Sequence, residues 1–137
     1  MGNHLVWDDR FNIGVDSIDK EHKKLFQIIN RLLAFSEQED KGPWVCQEGI
    51  KYFKEHALKH FAEEERYMAL ISYHDLETHK RLHEDFSHHT LPALEKELEQ
   101  TDFSKEAIQH FLGVCAGWLI GHTLTEDRAI AQNETSR

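Results

Sequence analysis

The sequence predicts an all-α protein, folded as an antiparallel up-down-up-down four-helix bundle with an ordered N-terminal arm. Apolar residues recur with helical periodicity along nearly the whole chain, whereas β-branched runs with period-two alternation do not occur. Only two prolines and seven glycines interrupt the 137 residues. The predicted helices are joined by short connections, which place successive helices side by side and antiparallel.

The N-terminal segment is too apolar for a solvated tail, so residues 1–15 are predicted to form the arm. A first helix is predicted over 17–38, with Asp16 or Ser17 as its N-cap. Its inward stripe recurs every three or four residues. That stripe contains Ile18, His22, Leu25, Phe26, Ile29, Leu32 and Leu33.

The second and third helices are predicted around the two prolines. One helix spans 43–69 and starts with Pro43 in its first turn, where a missing N–H costs nothing. The next spans 75–99. Because proline within a helix removes a hydrogen bond and crowds the preceding turn, a kink is expected near Pro92.

The fourth helix is predicted over 104–129. Thr101, Asp102 and Ser104 provide the start signals, since their side chains accept hydrogen bonds from free N–H groups of a first turn. The composition contains no low-complexity linker, so 1–137 is predicted to be a single domain.

Composition excludes several classes of partner. The formal net charge of −9 opposes binding to nucleic acid or to an anionic membrane surface. No run approaches the roughly 20 apolar residues of a membrane span, and the first residues lack a signal-peptide core. Cys46 and Cys115 form no disulfide framework. These observations predict no membrane insertion and a cytoplasmic location.

Histidines placed on helix faces carry the functional information. His60 with Glu64, and His79 with His83, are spaced four apart, so each pair lies within about 40° on one helix face. Single pairs are weak evidence, because eleven histidines in this length produce about one such pair by chance. His56 with His60 is a competing example.

The joint pattern is stronger than any pair. His22, His60 and His122 each continue an apolar stripe, and a lone inward Glu64 would be a costly buried charge. Bound metal would resolve both difficulties. Asp127 fits less easily, because five residues after His122 it lies about 140° around a regular helix. Its carboxylate reaches inward only if the helix end is distorted.

The donor types favour two transition-metal ions. Imidazole suits zinc, copper, iron and nickel, and five imidazoles with two carboxylates exceed the needs of one tetrahedral zinc. The Glu-x-x-His signature of ferritin-like di-iron sites does not match these residues.

Four segments, one from each predicted helix, form a specific combined pattern. They are Ile18-Asp19-Lys20-Glu21-His22, His60-Phe61-Ala62-Glu63-Glu64-Glu65, His79-Lys80-Arg81-Leu82-His83 and Trp118-Leu119-Ile120-Gly121-His122 with Asp127 after it. Together they resemble the bacterial hemerythrins, from about residue 7 to residue 130. The resemblance implies a protein that is not an enzyme and that binds O2 reversibly at a non-haem di-iron centre within a four-helix bundle.

The resemblance also implies a role for each site residue. His79, His83 and His122 would bind one iron ion. His22 and His60 would bind the other, which keeps a position open for O2. Glu64 and Asp127 would bridge the Fe2+/Fe3+ ions together with an oxo or hydroxo group. Positions near the O2 pocket are matched by Phe61, Trp118 and Leu119.

Several functions remain compatible with these residues. The leading hypothesis is an O2 carrier, store or sensor. An alternative is the sensing domain of a larger signalling protein, acting through an output domain or a partner protein. A peroxidase-like or nitric-oxide-handling di-iron enzyme ranks lowest, because the sequence marks no clear general acid or base. The other histidines are expected to lie away from the metal, and Asp75 is a candidate for orienting His79.

Overall fold

The computed structural model describes residues 12–37 and 43–130 and, in the second range, the side chains from residue 47 onward. This part of the chain is helical and contains no strand, so the all-α prediction is confirmed. No described helix is long and apolar enough to cross a membrane. The α-helices are α1 Asp16–Ser36, α2 Pro43–Leu70, α3 Leu76–Asp85, α4 Leu91–Gln100 and α5 Lys105–His122.

The five described α-helices make a bundle of four members, because a π-helical segment joins two of them end to end. Phe86–Thr90 joins α3 to α4 without a break, and Thr123–Asp127 continues α5. In a π-helical turn each N–H reaches the carbonyl five residues back, so the turn is wider than an α-helical turn. The predicted antiparallel four-helix bundle is confirmed, with α1 packed on α2 and α5, α2 packed on α3, and α4 packed on α5.

The first π-helical segment lies immediately before Pro92. Proline cannot donate to the carbonyl four residues back, and its ring crowds that carbonyl. The N–H of Leu91 donates to the carbonyl of Phe86, five residues back, which widens the turn at this point. The helix therefore passes through Pro92 and continues as α4.

The start of α1 differs from the prediction. Neither Asp16 nor Ser17 is the N-cap, which is Val15 in an extended conformation without a side-chain cap. Instead, the Asp19 carboxylate accepts hydrogen bonds from the N–H groups of residues 13 and 14 at 2.8 and 3.2 Å. It reaches them because the positive φ of the glycine at 14 turns the chain back over the first helical turn. Most of the predicted arm lies outside the described residues.

Helix α5 starts at one of the residues that the sequence predicted as its start signals. Ser104 is the N-cap, and its hydroxyl accepts a hydrogen bond from the N–H of Ala107 at 3.1 Å.

Later in the same helix, Cys115 is buried and free, as expected of a packed thiol. Burial raises the pKa of this thiol to about 12, which keeps it protonated and unreactive at neutral pH. The side chain of Cys46 lies outside the described part.

Two apolar clusters fill the interior. The larger one contains residues from α1, α2, α4, α5 and the π-helical segment after α3, including Phe53, Phe86 and Phe111. The smaller one, formed by Met68, Tyr73 and Ile130, lies toward the other end of the bundle. The inward residues between the clusters on α2 and α5 include polar groups, so the candidate site forms a polar layer enclosed by apolar side chains.

Helices α1 and α2 approach closely at Gly49. A Cβ atom at this position would overlap Cδ2 of Leu32 and lie 3.4 Å from its Cγ. Because Leu32 is buried in the larger cluster, it has little room to move. The absence of a side chain at residue 49 therefore determines how closely the two helices pack.

We expect Gly49→Ala to destabilise the protein by about 1–3 kcal/mol through overpacking, despite the better helix propensity of alanine. Gly113→Ala is the matched control, since a Cβ there meets nothing within 4 Å. The control should stabilise the protein by up to about 1 kcal/mol. Urea unfolding of both variants measures the difference, and an equal gain in stability for both would contradict the close-packing interpretation.

Candidate metal centre

Four helices place seven side chains that could bind metal in one buried layer. His22 comes from α1 and is fully buried, and none of the seven is more than 5% exposed. Ring centroids of neighbouring histidines lie 4.6 to 5.0 Å apart. The structure thus brings together all the ligands that the sequence predicted. They are His22, His60, Glu64, His79, His83, His122 and Asp127.

The second π-helical segment places Asp127 in this layer. The N–H of Arg128 donates to the carbonyl of Thr123, five residues back, so the helix is wound more widely between His122 and Asp127. Five residues then make about one turn, and the two side chains point the same way. His122 Nε2 lies 3.1 Å from Asp127 Oδ1. The predicted distortion of the helix end is confirmed.

Glu64 lies between two groups of histidines. Its Oε1 is 2.7 Å from Nε2 of His79 and 3.2 Å from Nε2 of His83. Its Oε2 is 3.2 Å from Nε2 of His60 and 3.6 Å from Nε2 of His22. We call His79, His83 and His122 the three-histidine group, and His22 and His60 the two-histidine group.

Asp127 repeats this arrangement from the opposite helix. Its Oδ1 lies 3.1 Å from Nε2 of His79 and equally far from Nε2 of His122. Its Oδ2 lies 2.9 Å from Nε2 of His22. Each carboxylate therefore directs one oxygen toward the three-histidine group and the other toward the two-histidine group. This is the arrangement that a carboxylate needs in order to bridge two cations.

Several of these atoms approach closely without forming hydrogen bonds. Within the described residues, Oε2 of Glu64, both carboxylate oxygens of Asp127 and both ring nitrogens of His22 are buried without a hydrogen-bond partner. Unpaired buried polar atoms are costly and rare. Two ligands about 2.1 Å from one ion, at right angles around it, lie about 3.0 Å apart, which matches the observed separations. The residues present therefore fit two transition-metal ions.

The charges in this layer perturb one another strongly. Burial lowers the pKa of His22 and His79, but the carboxylates of Asp127 and Glu64 more than offset this and raise both values to about 9. Burial raises the pKa of Glu64, and the surrounding imidazoles outweigh it and hold that pKa well below its usual value. The carboxylates therefore stay ionised inside the protein, which attracts cations to this layer.

Aromatic rings cover the three-histidine group. Phe61 stacks on His83 with ring centroids 4.2 Å apart, and Trp118 stacks on His122 at 4.4 Å. The two aromatic rings are 5.4 Å apart, and Phe61 lies 6.2 Å from His60. Phe61 and Leu119 are buried, whereas Trp118 is partly exposed. The predicted O2-pocket residues thus lie beside the metal-binding layer, and their role in holding O2 stays a prediction.

Carboxylates around the histidines include two that sequence reasoning missed. Glu65 Oε2 lies 2.9 Å from His83 Nδ1, and Glu126 Oε2 lies 3.8 Å from His122 Nδ1. Only a weak signal in the sequence pointed to these two residues. Glu65 directly follows Glu64, and Glu126 directly precedes Asp127 and lies four residues after His122. Asp75, by contrast, contacts His79 through its backbone carbonyl, which accepts the N–H at 3.0 Å.

The remaining histidines of the described ranges lie outside the metal-binding layer. His74, His88 and His89 are exposed. His110 is also exposed and pairs with Glu97 at 2.9 Å, while the half-buried His56 packs against Tyr52. The i, i+4 pair of His56 with His60 is therefore not a chelating pair in the structure.

Comparison with known proteins agrees with this geometry. The family model for the hemerythrin HHE cation binding domain matches residues 13–132. A bacteriohemerythrin of Clostridium acetobutylicum is 37% identical over 129 residues, covering 90% of this chain and 96% of that protein. A bacteriohemerythrin of Pseudomonas paraeruginosa is 31% identical, covering 90% of this chain and 77% of that protein. A myohemerythrin of Theromyzon tessulatum is 35% identical over 80 residues, covering 58% of this chain and 60% of that protein.

The fold and the buried cluster define a cation-binding four-helix bundle. Within that class, the chain belongs to the hemerythrin HHE family.

We expect Glu64→Gln to lower the iron bound after anaerobic loading with Fe2+ from two ions per chain to one or fewer, because it removes a charge shared by both histidine groups. Elemental analysis of the desalted protein gives the count. Glu63→Gln is the matched control, since that side chain is on the same helix and 43% exposed. Retention of two ions by Glu64→Gln would contradict the bridging interpretation.

Proposed function

We propose that residues 1–137 form one hemerythrin-like domain that binds O2 reversibly at a non-haem di-iron centre. The observation that carries this proposal is the double orientation of Glu64 and Asp127, each of which directs one oxygen toward each histidine group. Membership of the hemerythrin family supports it, and supports a binding protein rather than an enzyme.

The same geometry supports the ligand set that the sequence predicted. The three-histidine group would hold one iron ion and the two-histidine group the other, with both carboxylates shared. The two-histidine group offers one nitrogen fewer, so its ion keeps room for an external ligand. When bound, the two iron ions would supply the electrons that reversible O2 binding requires.

The protein itself contributes charge and exclusion of water. Two ionised carboxylates offset part of the charge of two cations in the buried layer. The larger apolar cluster and the smaller cluster enclose this layer from both ends. Removing water from such a site strengthens its electrostatic interactions and limits proton leakage that would lead to irreversible oxidation.

A carrier, a store and a sensor would share this chemistry. Two further points stay predictions: that the protein is cytoplasmic, and that a sensor would act through an output domain or a partner protein. All three roles require reversible O2 binding, so the same experiment tests each of them.

We expect the protein loaded with Fe2+ under anaerobic conditions to develop a visible absorption band when O2 is admitted, and to lose the band when O2 is removed. Repeated cycles should recover most of the amplitude. His60→Ala should abolish the reversible band, because it takes a nitrogen from the two-histidine group. His110→Ala is the matched control, since His110 is exposed and pairs with Glu97 away from the metal-binding layer.

Oxidation of the wild-type protein without any reversible band would overturn reversible O2 binding while leaving the metal centre intact. Binding of no iron, or of one ion per chain, would overturn the metal assignment itself.

A further inference from the structure

We propose that Glu65 is a positioning residue for the metal centre. By accepting the Nδ1–H of His83, it fixes the protonation and orientation of that ring and strengthens metal binding at the three-histidine group. This inference rests on the proposed function, because it takes His83 to be a metal ligand.

One turn of α2 holds the His83 ring on three sides. Phe61 stacks on its face at 4.2 Å with an angle of 11° between the ring planes. Glu64 Oε1 lies 3.2 Å from Nε2, on the side of the ring that faces the metal-binding layer. Glu65 Oε2 lies 2.9 Å from Nδ1, on the opposite side. The ring therefore has little freedom to turn or flip.

The contact with Glu65 selects one form of the imidazole. A neutral histidine carries its proton on one nitrogen and a lone pair on the other. A carboxylate accepts hydrogen bonds and cannot donate them when ionised, so the proton is held at Nδ1. Nε2 is then left with its lone pair directed into the layer. A carboxylate in this position also makes the imidazole a stronger donor to a metal ion.

Two other histidines of the metal-binding layer lack an equally close partner of this kind in the described part of the chain. Glu126 is 3.8 Å from Nδ1 of His122, which is beyond hydrogen-bond distance. Nδ1 of His22 is buried and makes no hydrogen bond there. Of these three histidines, His83 in the three-histidine group thus has the closest carboxylate behind it.

A purely structural role would have different consequences. The Glu65 side chain is 23% exposed, whereas its partner His83 is buried. Loss of a structural contact would change the stability of the metal-free protein, whereas loss of a positioning contact changes the binding of one metal ion. The two roles can therefore be separated by measuring metal binding and metal-free stability in the same variants.

The first measurement is the affinity for Fe2+, determined anaerobically by competition with a coloured chelator. Relative to wild type, we expect Glu65→Ala to weaken binding of one of the two ions by roughly 10–100-fold, the range typical for lost partners of metal-bound histidines. Glu65→Gln keeps the shape of the side chain and one acceptor oxygen, so the loss of Fe2+ affinity should be smaller. Glu63 lies two residues earlier in the same helix and is more exposed, so Glu63→Ala and Glu63→Gln should bind Fe2+ as the wild type does.

The second measurement is proton NMR of the protein loaded with diamagnetic Zn2+. In the wild type, the Nδ1–H proton of His83 should appear far downfield and exchange slowly with water, because a carboxylate holds it. The signal should move upfield in Glu65→Gln and disappear through exchange in Glu65→Ala. Both Glu63 variants should retain it, and circular dichroism before loading confirms that each variant is folded.

The outcomes distinguish this proposal from the proposed function. If His83→Ala loses a metal ion while Glu65→Ala retains wild-type affinity and the His83 proton signal, the positioning role is wrong and the metal centre stands. If His83→Ala retains both ions, or the wild type binds no Fe2+, the proposed function fails and the positioning role fails with it.

Discussion

The structure depends on two ionised carboxylates that are buried among five imidazoles. Glu64 and Asp127 have essentially no exposure to solvent, and a lone carboxylate in such a position would be strongly destabilising. They are tolerated because histidine nitrogens surround every oxygen and because a cation can complete the arrangement. The apolar clusters on either side keep water away from this layer. The bundle therefore has to hold its four helices in one register at this level.

That register is achieved by local departures from regular helix geometry. The segment Thr123–Asp127 is wound as a π-helix, and this is what lets Asp127 share a face with His122. The segment Phe86–Thr90 lets the third helix pass through Pro92, so that α4 packs on α5. π-Helical turns are rare and cost hydrogen-bond quality, and they occur frequently at functional sites. Here one of them places a ligand directly.

The centre is also asymmetric. The three-histidine group has aromatic rings stacked on two of its members and a close carboxylate behind His83. The two-histidine group has one nitrogen fewer, and Nδ1 of His22 has no hydrogen-bond partner among the described residues. A half with more supporting contacts and a less saturated half suit a centre in which only one of the two ions receives an external ligand. The positioning role of Glu65 follows from this difference.

The sequence by itself predicted the helical fold and the seven side chains that meet in the buried layer. His22, His60 and His122 stood out because they continue apolar stripes whose period is known in advance, and the family resemblance implied the full set. Only the tertiary structure decided how Asp127 reaches the layer, since a 3.6-residue period describes regular helices and cannot anticipate a π-helical turn. The N-cap of α1 was predicted wrongly because Asp19, rather than Asp16 or Ser17, accepts hydrogen bonds at the start of this helix. Its carboxylate reaches the N–H groups of residues 13 and 14. Glu65 was missed because its partner lies on another helix, and contacts between helices depend on their packing and not on spacing within either one.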